Sequence, residues 1–171
     1  MKRLAVRLHR HDEQALLLVV ACRKDWLDRA LRRLTHLGGA TVTVGATTAM
    51  LVSSSPAWHT AGRRAAFALA GSHLVVQLIK RSVCRSRPRL PVGIRSLTDP
   101  PDRFSFPSGH AAAALSVALG VAGAFPAAGP WLIAAAVAVG LSRCYLGVHY
   151  PGDVVAGWTL AGAAFLAGLH I

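Results

Sequence analysis

Five apolar stretches, at 37–57, 63–80, 108–126, 129–148 and 152–170, take up most of this 171-residue chain. Each is close to the roughly 20 residues that a helix needs to cross a bilayer. With 53% hydrophobic side chains and a mean hydropathy of +0.44, the chain is too apolar for an ordinary soluble domain of its length. The expected fold is therefore all-α, an integral-membrane bundle of about five transmembrane helices. The first stretch is the most diluted, by Thr41, Thr43, Thr47, Thr48 and Ser53, although hydroxyls and glycines also suit close helix packing in lipid.

Residues 1–36 read differently. Leu4, Leu8, Leu16 to Val20, Trp26, Leu27, Ala30, Leu31 and Leu34 recur at helical spacing among arginines. That is the pattern of amphipathic helices lying in the headgroup layer. The apolar run from Ala15 to Cys22 is too short, and too closely flanked by charge, to be a cleavable signal peptide. The expected organisation is an interfacial segment at 1–36 and a transmembrane core at 37–171, together one domain.

The formal net charge is +12. No zinc-knuckle spacing or aromatic interleaving accompanies it, and little chain outside the apolar stretches remains to carry a nucleic-acid-binding fold. Anionic lipid is the expected partner instead. Cys22, Cys84 and Cys144 are odd in number and scattered, which argues against a disulfide framework. The residues six positions beyond them are Asp28, Leu90 and Tyr150, so no cysteine-dependent phosphatase loop with its arginine is present.

Between the second and third stretches, 81–106 forms a loop of about 26 residues punctuated by Pro88, Pro91, Pro100 and Pro101. Loops of that length in a compact domain are usually functional or disordered. Counting crossings from one stretch to the next puts Lys80, Ser108, His149 and Gly152 at helix ends on a single membrane face. Charged and imidazole groups gathered there mark a candidate functional site.

Three clusters occupy that face: Lys80 with Arg87-Pro88; Pro107-Ser108-Gly109-His110; and Ser142-Arg143 with His149 and Asp153. Their spacings, Lys-x6-Arg-Pro, Pro-Ser-Gly-His and Ser-Arg-x5-His-x3-Asp, fix eleven positions. Together these resemble, without a departure, the three-part signature of the type 2 phosphatidic acid phosphatase superfamily. The signature spans 80–153, and the lead-in from His11 to Gly39 is also similar to the family's N-terminal segment.

The residue types suit phosphate chemistry on their own terms. A phosphate monoester carries about two negative charges near neutral pH, and catalysing its transfer is mostly positioning and charge stabilisation. Arg87 and Arg143 offer planar forks to phosphate oxygens, and Lys80 a point charge. Ser108 stands where a helix N-cap belongs, and the free amides beyond it, Gly109 included, make an anion site. His149 and Asp153 lie four apart across Pro151-Gly152; a carboxylate on one imidazole nitrogen leaves the other free to attack. Arg81, Arg85, Arg89, Arg95 and Arg103 read as loop arginines meeting lipid headgroups. His73 and Gln77, at helical spacing before Lys80, either line the same cavity or hydrogen-bond between helices. His9, His11 and His36 read as interfacial, His59 lies near a turn and His170 is terminal. None of the histidines has metal-ligand spacing, so neither metal nor other cofactor is expected.

The resemblance implies a two-step displacement on a lipid phosphate. His149 attacks phosphorus, while Lys80, Arg87, Arg143, Ser108 and Gly109 hold the equatorial oxygens. His110 protonates the leaving alcohol and then activates water against the phosphohistidine. Phosphatidate, phosphatidylglycerophosphate, a polyprenyl diphosphate and a polyprenyl phosphosugar all fit. Of the 19 Lys and Arg residues, only Arg63 and Arg64 fall on the opposite face, so the positive-inside rule puts the site on the cytoplasmic side of the cell membrane. Two other classes share the pattern in part: a vanadate-dependent haloperoxidase, which by family resemblance is larger and soluble, and a non-catalytic lipid-binding membrane protein, which would lack part of the constellation.

Overall fold

The structure is a computed structural model that describes residues 2–169, with side chains from residue 9 onward. The expected apolar positions Leu4 and Leu8, and His170, lie outside the described residues and side chains. Seven α-helices and no strands are found among the described residues: α1 Lys2–Ala21, α2 Asp25–Leu34, α3 Ala40–Leu51, α4 Pro56–Val83, α5 Gly109–Ala122, α6 Gly129–Tyr145 and α7 Pro151–Ala167. Short 3-10 turns, Thr35–Gly38 and Pro126–Ala128, lead into α3 and α6.

The helix ends follow local chemistry. Ser55-Pro56, Gly129-Pro130 and Tyr150-Pro151 each place proline at the start of a helix, where its missing N–H costs nothing. α4 stops at Cys84, which adopts a left-handed conformation with φ 49°. Ser108 caps α5, its side chain accepting from the Ala111 amide.

The first apolar stretch is corrected. α3 covers only 12 residues, about 18 Å of helix, because Ser53-Ser54-Ser55-Pro56 ends it and starts another helix. Residues 37–38 of the stretch belong to the 3-10 turn before α3 and residues 56–57 to α4, which reaches 28 residues. Among the described residues one helical stretch, Pro126–Tyr145, is long and apolar enough to cross a membrane by itself.

α5 is the central post, packed against α4, α6 and α7. The contacts are made by small residues: Ala61, Ala65 and Ala68 on α4, Ala111, Ala112 and Ala118 on α5, and Ala161 on α7 are all at most 6% exposed. Backbones approach closely at such positions. Ser72 and Ser116 hydrogen-bond across the buried α4–α5 seam at 3.0 Å.

The amphipathic reading of 1–36 takes two forms. α1 turns Leu16 and Val20 into a cluster with Ala111, Cys144, Tyr150 and Val154, while Leu18 stays exposed. α2 buries no residue and leaves Trp26 exposed. The first helix is thus seated on the bundle, at the ends of α6 and α7.

Candidate functional site

The carboxyl ends of α4 and α6 and the amino ends of α5 and α7 meet at one end of the bundle. The Ser108 amide donates to the Asp153 carbonyl at 2.9 Å, and an Arg87 NH1 donates to the Val148 carbonyl at 2.7 Å. A cavity of about 670 Å³ opens there; Lys80, Asp102, Gly109, His110 and His149 line its polar end. It continues between α3 and α4 past Thr43, Thr47, Gln77 and His73. Of the two possibilities for His73 and Gln77, both line the cavity, and their mutual contact at 3.4 Å runs along one helix.

His149 is 1% exposed and sits in the short break between α6 and α7. Its Nδ1 lies 3.4 Å from Asp153 Oδ2, and its Nε2 lies 3.2 Å from Arg87 NH1. A guanidinium can only donate, so Nε2 must be the acceptor and the proton belongs on Nδ1, facing Asp153. Burial, opposed by the Asp153 hydrogen bond and reinforced by the Arg87 and Arg143 charges, pushes the imidazole pKa down to about 4. The ring is neutral at physiological pH, with its Nε2 lone pair toward the arginine.

Asp153 is fully buried. Its Oδ2 also accepts the Tyr150 amide at 2.9 Å, the return bond by which a third-position carboxylate caps a helix start.

Lys80, 4% exposed, donates to Asp102 Oδ2 at 2.6 Å and to the Phe104 carbonyl at 3.3 Å. Arg87 donates from NH2 to Asp102 Oδ1 at 2.9 Å and from Nε to the Asp102 carbonyl at 2.8 Å. Burial alone would raise the Asp102 carboxyl, but the two cations hold it below the usual carboxylate range. Arg143, 1% exposed, donates to Thr35 Oγ1 at 2.7 Å, while its Nε and NH2 meet no hydrogen-bond partner. Unpaired donors on a buried guanidinium are unfavourable, and an oxyanion would satisfy them.

At the start of α5 the Ala111 amide donates to Ser108 Oγ and the Ala112 amide to the Ser108 carbonyl. The Gly109 and His110 amides enter no hydrogen bond among the described residues. The Ser108 amide is spent on Asp153, so of the groups expected to meet an anion here the Ser108 hydroxyl and the Gly109 amide are the available donors.

Arg85 is a second correction. It does not project toward headgroups; its NH1 donates to Asp153 Oδ1 at 2.8 Å and its NH2 to Asp12 Oδ2 at 2.8 Å. Nothing in the sequence separated it from its neighbours, since its partners lie 68 and 73 residues away. Asp12 was missed for the same reason, and Asp102 because only the fold of the loop brings it onto Lys80 and Arg87, 22 and 15 residues away. His9, expected at the interface, packs edge-on against Tyr150 and meets Arg85 NH2 at 3.0 Å. No group of three or more His, Cys, Asp or Glu side chains disposed to hold a metal ion occurs among the described residues.

The fold has solved counterparts. It superposes on the crystal structure of the first transmembrane PAP2 type phosphatidylglycerolphosphate phosphatase from Bacillus subtilis with a TM-score of 0.73 and 25% identity, over 95% of this chain and 84% of that one. Aquifex aeolicus LpxE gives a TM-score of 0.81 at 23% identity, covering 92% of this chain and 94% of that one. In sequence, the chain is 42% identical over 89 residues to a decaprenylphosphoryl-5-phosphoribose phosphatase of Mycobacterium tuberculosis, a match covering 52% of this chain and 49% of that protein. The chain thus spans about half the length of the curated relatives it matches. The family model described as PAP2 superfamily matches residues 61–171, from early α4 through all three clusters and α7, and the chain belongs to that superfamily.

Proposed function

We propose that the chain is a membrane-embedded lipid phosphate phosphatase that works through a phosphohistidine at His149. The observation that carries this reading is the orientation of that side chain: Nδ1 held by Asp153, Nε2 accepting from Arg87, and the ring on the wall of a cavity shared with Lys80, Gly109 and His110.

In the first step Arg87 turns its NH1 from Nε2 to a phosphate oxygen, the freed Nε2 attacks phosphorus and the bond to the lipid oxygen breaks, with the proton from His110 going to the leaving alcohol. Asp153 stabilises the imidazolium that develops. Lys80, Arg87, Arg143, the Ser108 hydroxyl and the Gly109 amide take up charge on the equatorial oxygens. In the second step His110 removes a proton from water, which attacks phosphorus and breaks the P–N bond. Phosphate leaves and neutral His149 is restored. No step calls for a metal.

The membrane reading takes α3 to α7 as about five spans, with 1–36 as an interfacial segment on the site face. Large apolar side chains exposed on the bundle, including Leu74, Leu78, Trp131, Leu141, Val155 and Leu166, support contact with lipid tails. Arg64, which donates to the Gly123 carbonyl at 2.9 Å, lies on α4 about 24 Å of helix from Lys80. The basic imbalance between those two ends favours a cytoplasmic site in the cell membrane. A lipid phosphate made on that side fits best, such as phosphatidylglycerophosphate or a polyprenyl phosphosugar; the matched mycobacterial relative, named for the latter class, adds weight to it.

The test is phosphate release by detergent-purified protein in excess EDTA, across lipid and water-soluble phosphates, with His149→Ala as control. Release from a lipid phosphate that the variant loses is the expected result. Release by folded His149→Ala at the wild-type rate would sink the assignment. Dependence on added metal would overturn the metal-free route.

A further inference from the structure

The signature leaves one charged assembly at the site unused. Arg85 is fixed on every side: NH1 on Asp153 Oδ1, NH2 on Asp12 Oδ2, and its guanidinium carbon 4.1 Å above the Tyr150 ring. Asp12, on α1, uses its other oxygen to accept the Gly152 amide at 2.7 Å. The three side chains are well shielded, at 19%, 13% and 0% exposure for Arg85, Asp12 and Asp153.

A fully buried carboxylate needs a countercharge. His149 does not supply it, because the imidazole is neutral when Arg87 donates to its Nε2. Arg85 does. It also fixes rotation: with Oδ1 held by the guanidinium, Asp153 has only Oδ2 to offer, and that oxygen lies between the Tyr150 amide and His149 Nδ1. The His149 contact is the longer of the two, at 3.4 Å against 2.9 Å, so a turn of the carboxylate would release the imidazole first. Asp12 in turn anchors both the arginine and the first peptide turn of α7.

We propose that Arg85, clamped between Asp12 and Asp153, is a positioning residue for the reaction, and that α1 thereby takes part in it although it lies outside the three signature clusters and the matched region. The clamp does not meet substrate; it sets the orientation of Asp153, and so of His149. The proposal rests on His149 being the nucleophile. Because Arg85 acts through a fork that spans two carboxylates, lysine can satisfy one of them and not both.

The experiment compares Arg85→Ala, Arg85→Lys, Asp12→Asn and Arg85→Ala/Asp12→Asn with the wild type, on dioleoylphosphatidate and a polyprenylphosphoryl-5-phosphoribose in mixed micelles. Leu16→Ala serves as a control that loosens α1 by packing alone. The expected result for Arg85→Ala is a fall in kcat of about 10- to 100-fold with KM within about twofold, the split that marks an interaction acting on the chemical step. Arg85→Lys recovers part of the loss. Asp12→Asn has an intermediate effect and adds nothing in the Arg85→Ala background, as coupled residues should. Leu16→Ala melts lower with kcat retained. A rise in KM with kcat intact would make Arg85 a substrate contact and overturn the clamp, as would fully additive losses. Full kcat in Arg85→Ala overturns the clamp alone, whereas an inactive, folded wild type on both probes removes the phosphatase reading and the clamp with it.

Discussion

Gly157 on α7 faces the first turn of α5, one helical turn beyond Asp153. A Cβ there would lie 2.5 Å from the Ser108 carbonyl oxygen and 3.3 Å from the Ala112 nitrogen, against about 3.4 Å for ordinary contact. These two neighbours are backbone and the third, Ala111 Cβ at 3.3 Å, is fixed to it, so Gly157→Ala must push the start of α5 away from α7 by about 0.9 Å. Overpacking of this kind destabilises by about 1–3 kcal/mol. The catalytic effect should be larger, because the displaced turn carries Ser108, Gly109 and His110 while the other wall carries His149 and Asp153. A misplacement near 1 Å between reacting groups is worth about 100-fold in rate. Two substitutions separate geometry from stability. Gly120→Ala would meet the Ala65 backbone nitrogen at 2.6 Å, but at the α4–α5 crossing about 16 Å along α5 from Gly109; it should melt as low while keeping most of its kcat. Gly162→Ala meets nothing within 4 Å and should gain up to about 1 kcal/mol from helix propensity. Phosphate release and thermal melting in the same detergent decide the matter. Gly157→Ala at wild-type kcat/KM, or Gly120→Ala losing as much rate for the same fall in melting temperature, would refute the reasoning.

Other expectations are equally direct. Asp153→Asn keeps the shape but presents an amide that favours the wrong imidazole tautomer, and should lower kcat by up to about 10⁴-fold; a tenfold effect or less would leave Asp153 without its assigned role. Asp102 is bound to Lys80 and Arg87 at 2.6 Å and 2.9 Å, where phosphate oxygens would bind, so Asp102→Asn should strengthen inhibition by inorganic phosphate. Partly exposed pairs contribute at most about 1 kcal/mol, which sets the gain near fivefold, and an unchanged inhibition constant would show that Asp102 does not compete. The burial that lowers His149 from 6.5 to about 4 makes the unfolded chain the better proton binder between those values. The associated stability is therefore present above pH 6.5 and lost as pH falls to about 4. Wild-type melting should drop relative to His149→Ala across that window, and parallel curves would contradict a buried neutral imidazole.

The parts of the site that were legible in the sequence are those fixed by short spacing at a helix end. Ser108 and Gly109 read as a cap and a first turn because cap chemistry is local, and His149 and Asp153 as a pair because they flank one proline. The joint at 52–56 was also written locally, as three serines and a proline, but a hydropathy window runs across such a joint, and so the first apolar stretch extended too far. Arg85 and Asp102 were not legible. Among seven Lys and Arg residues in 80–106, what distinguishes Arg85 is a carboxylate brought to it by α1 and another brought by α7. Those are consequences of packing, and hydrophobic periodicity holds no record of them.

The placement of charges explains how so polar a site survives at the end of so apolar a bundle. Lys80 and Arg143 stand in the last turns of α4 and α6, and Asp153 in the first turn of α7. Each charge is at the helix end whose dipole stabilises it, so each can be almost fully withdrawn from water. An anion arriving at the amino end of α5 meets the same arrangement from the other side, with free amides and a positive helix end ahead of it. Asp102 sits on two of the three cations and Thr35 on the third, which leaves Arg143 with the unpaired donors. On the proposed reading, a phosphate that takes Asp102's place on Lys80 and Arg87 and also meets the unpaired donors of Arg143 gains hydrogen bonds that the carboxylate, held on its own loop, does not make.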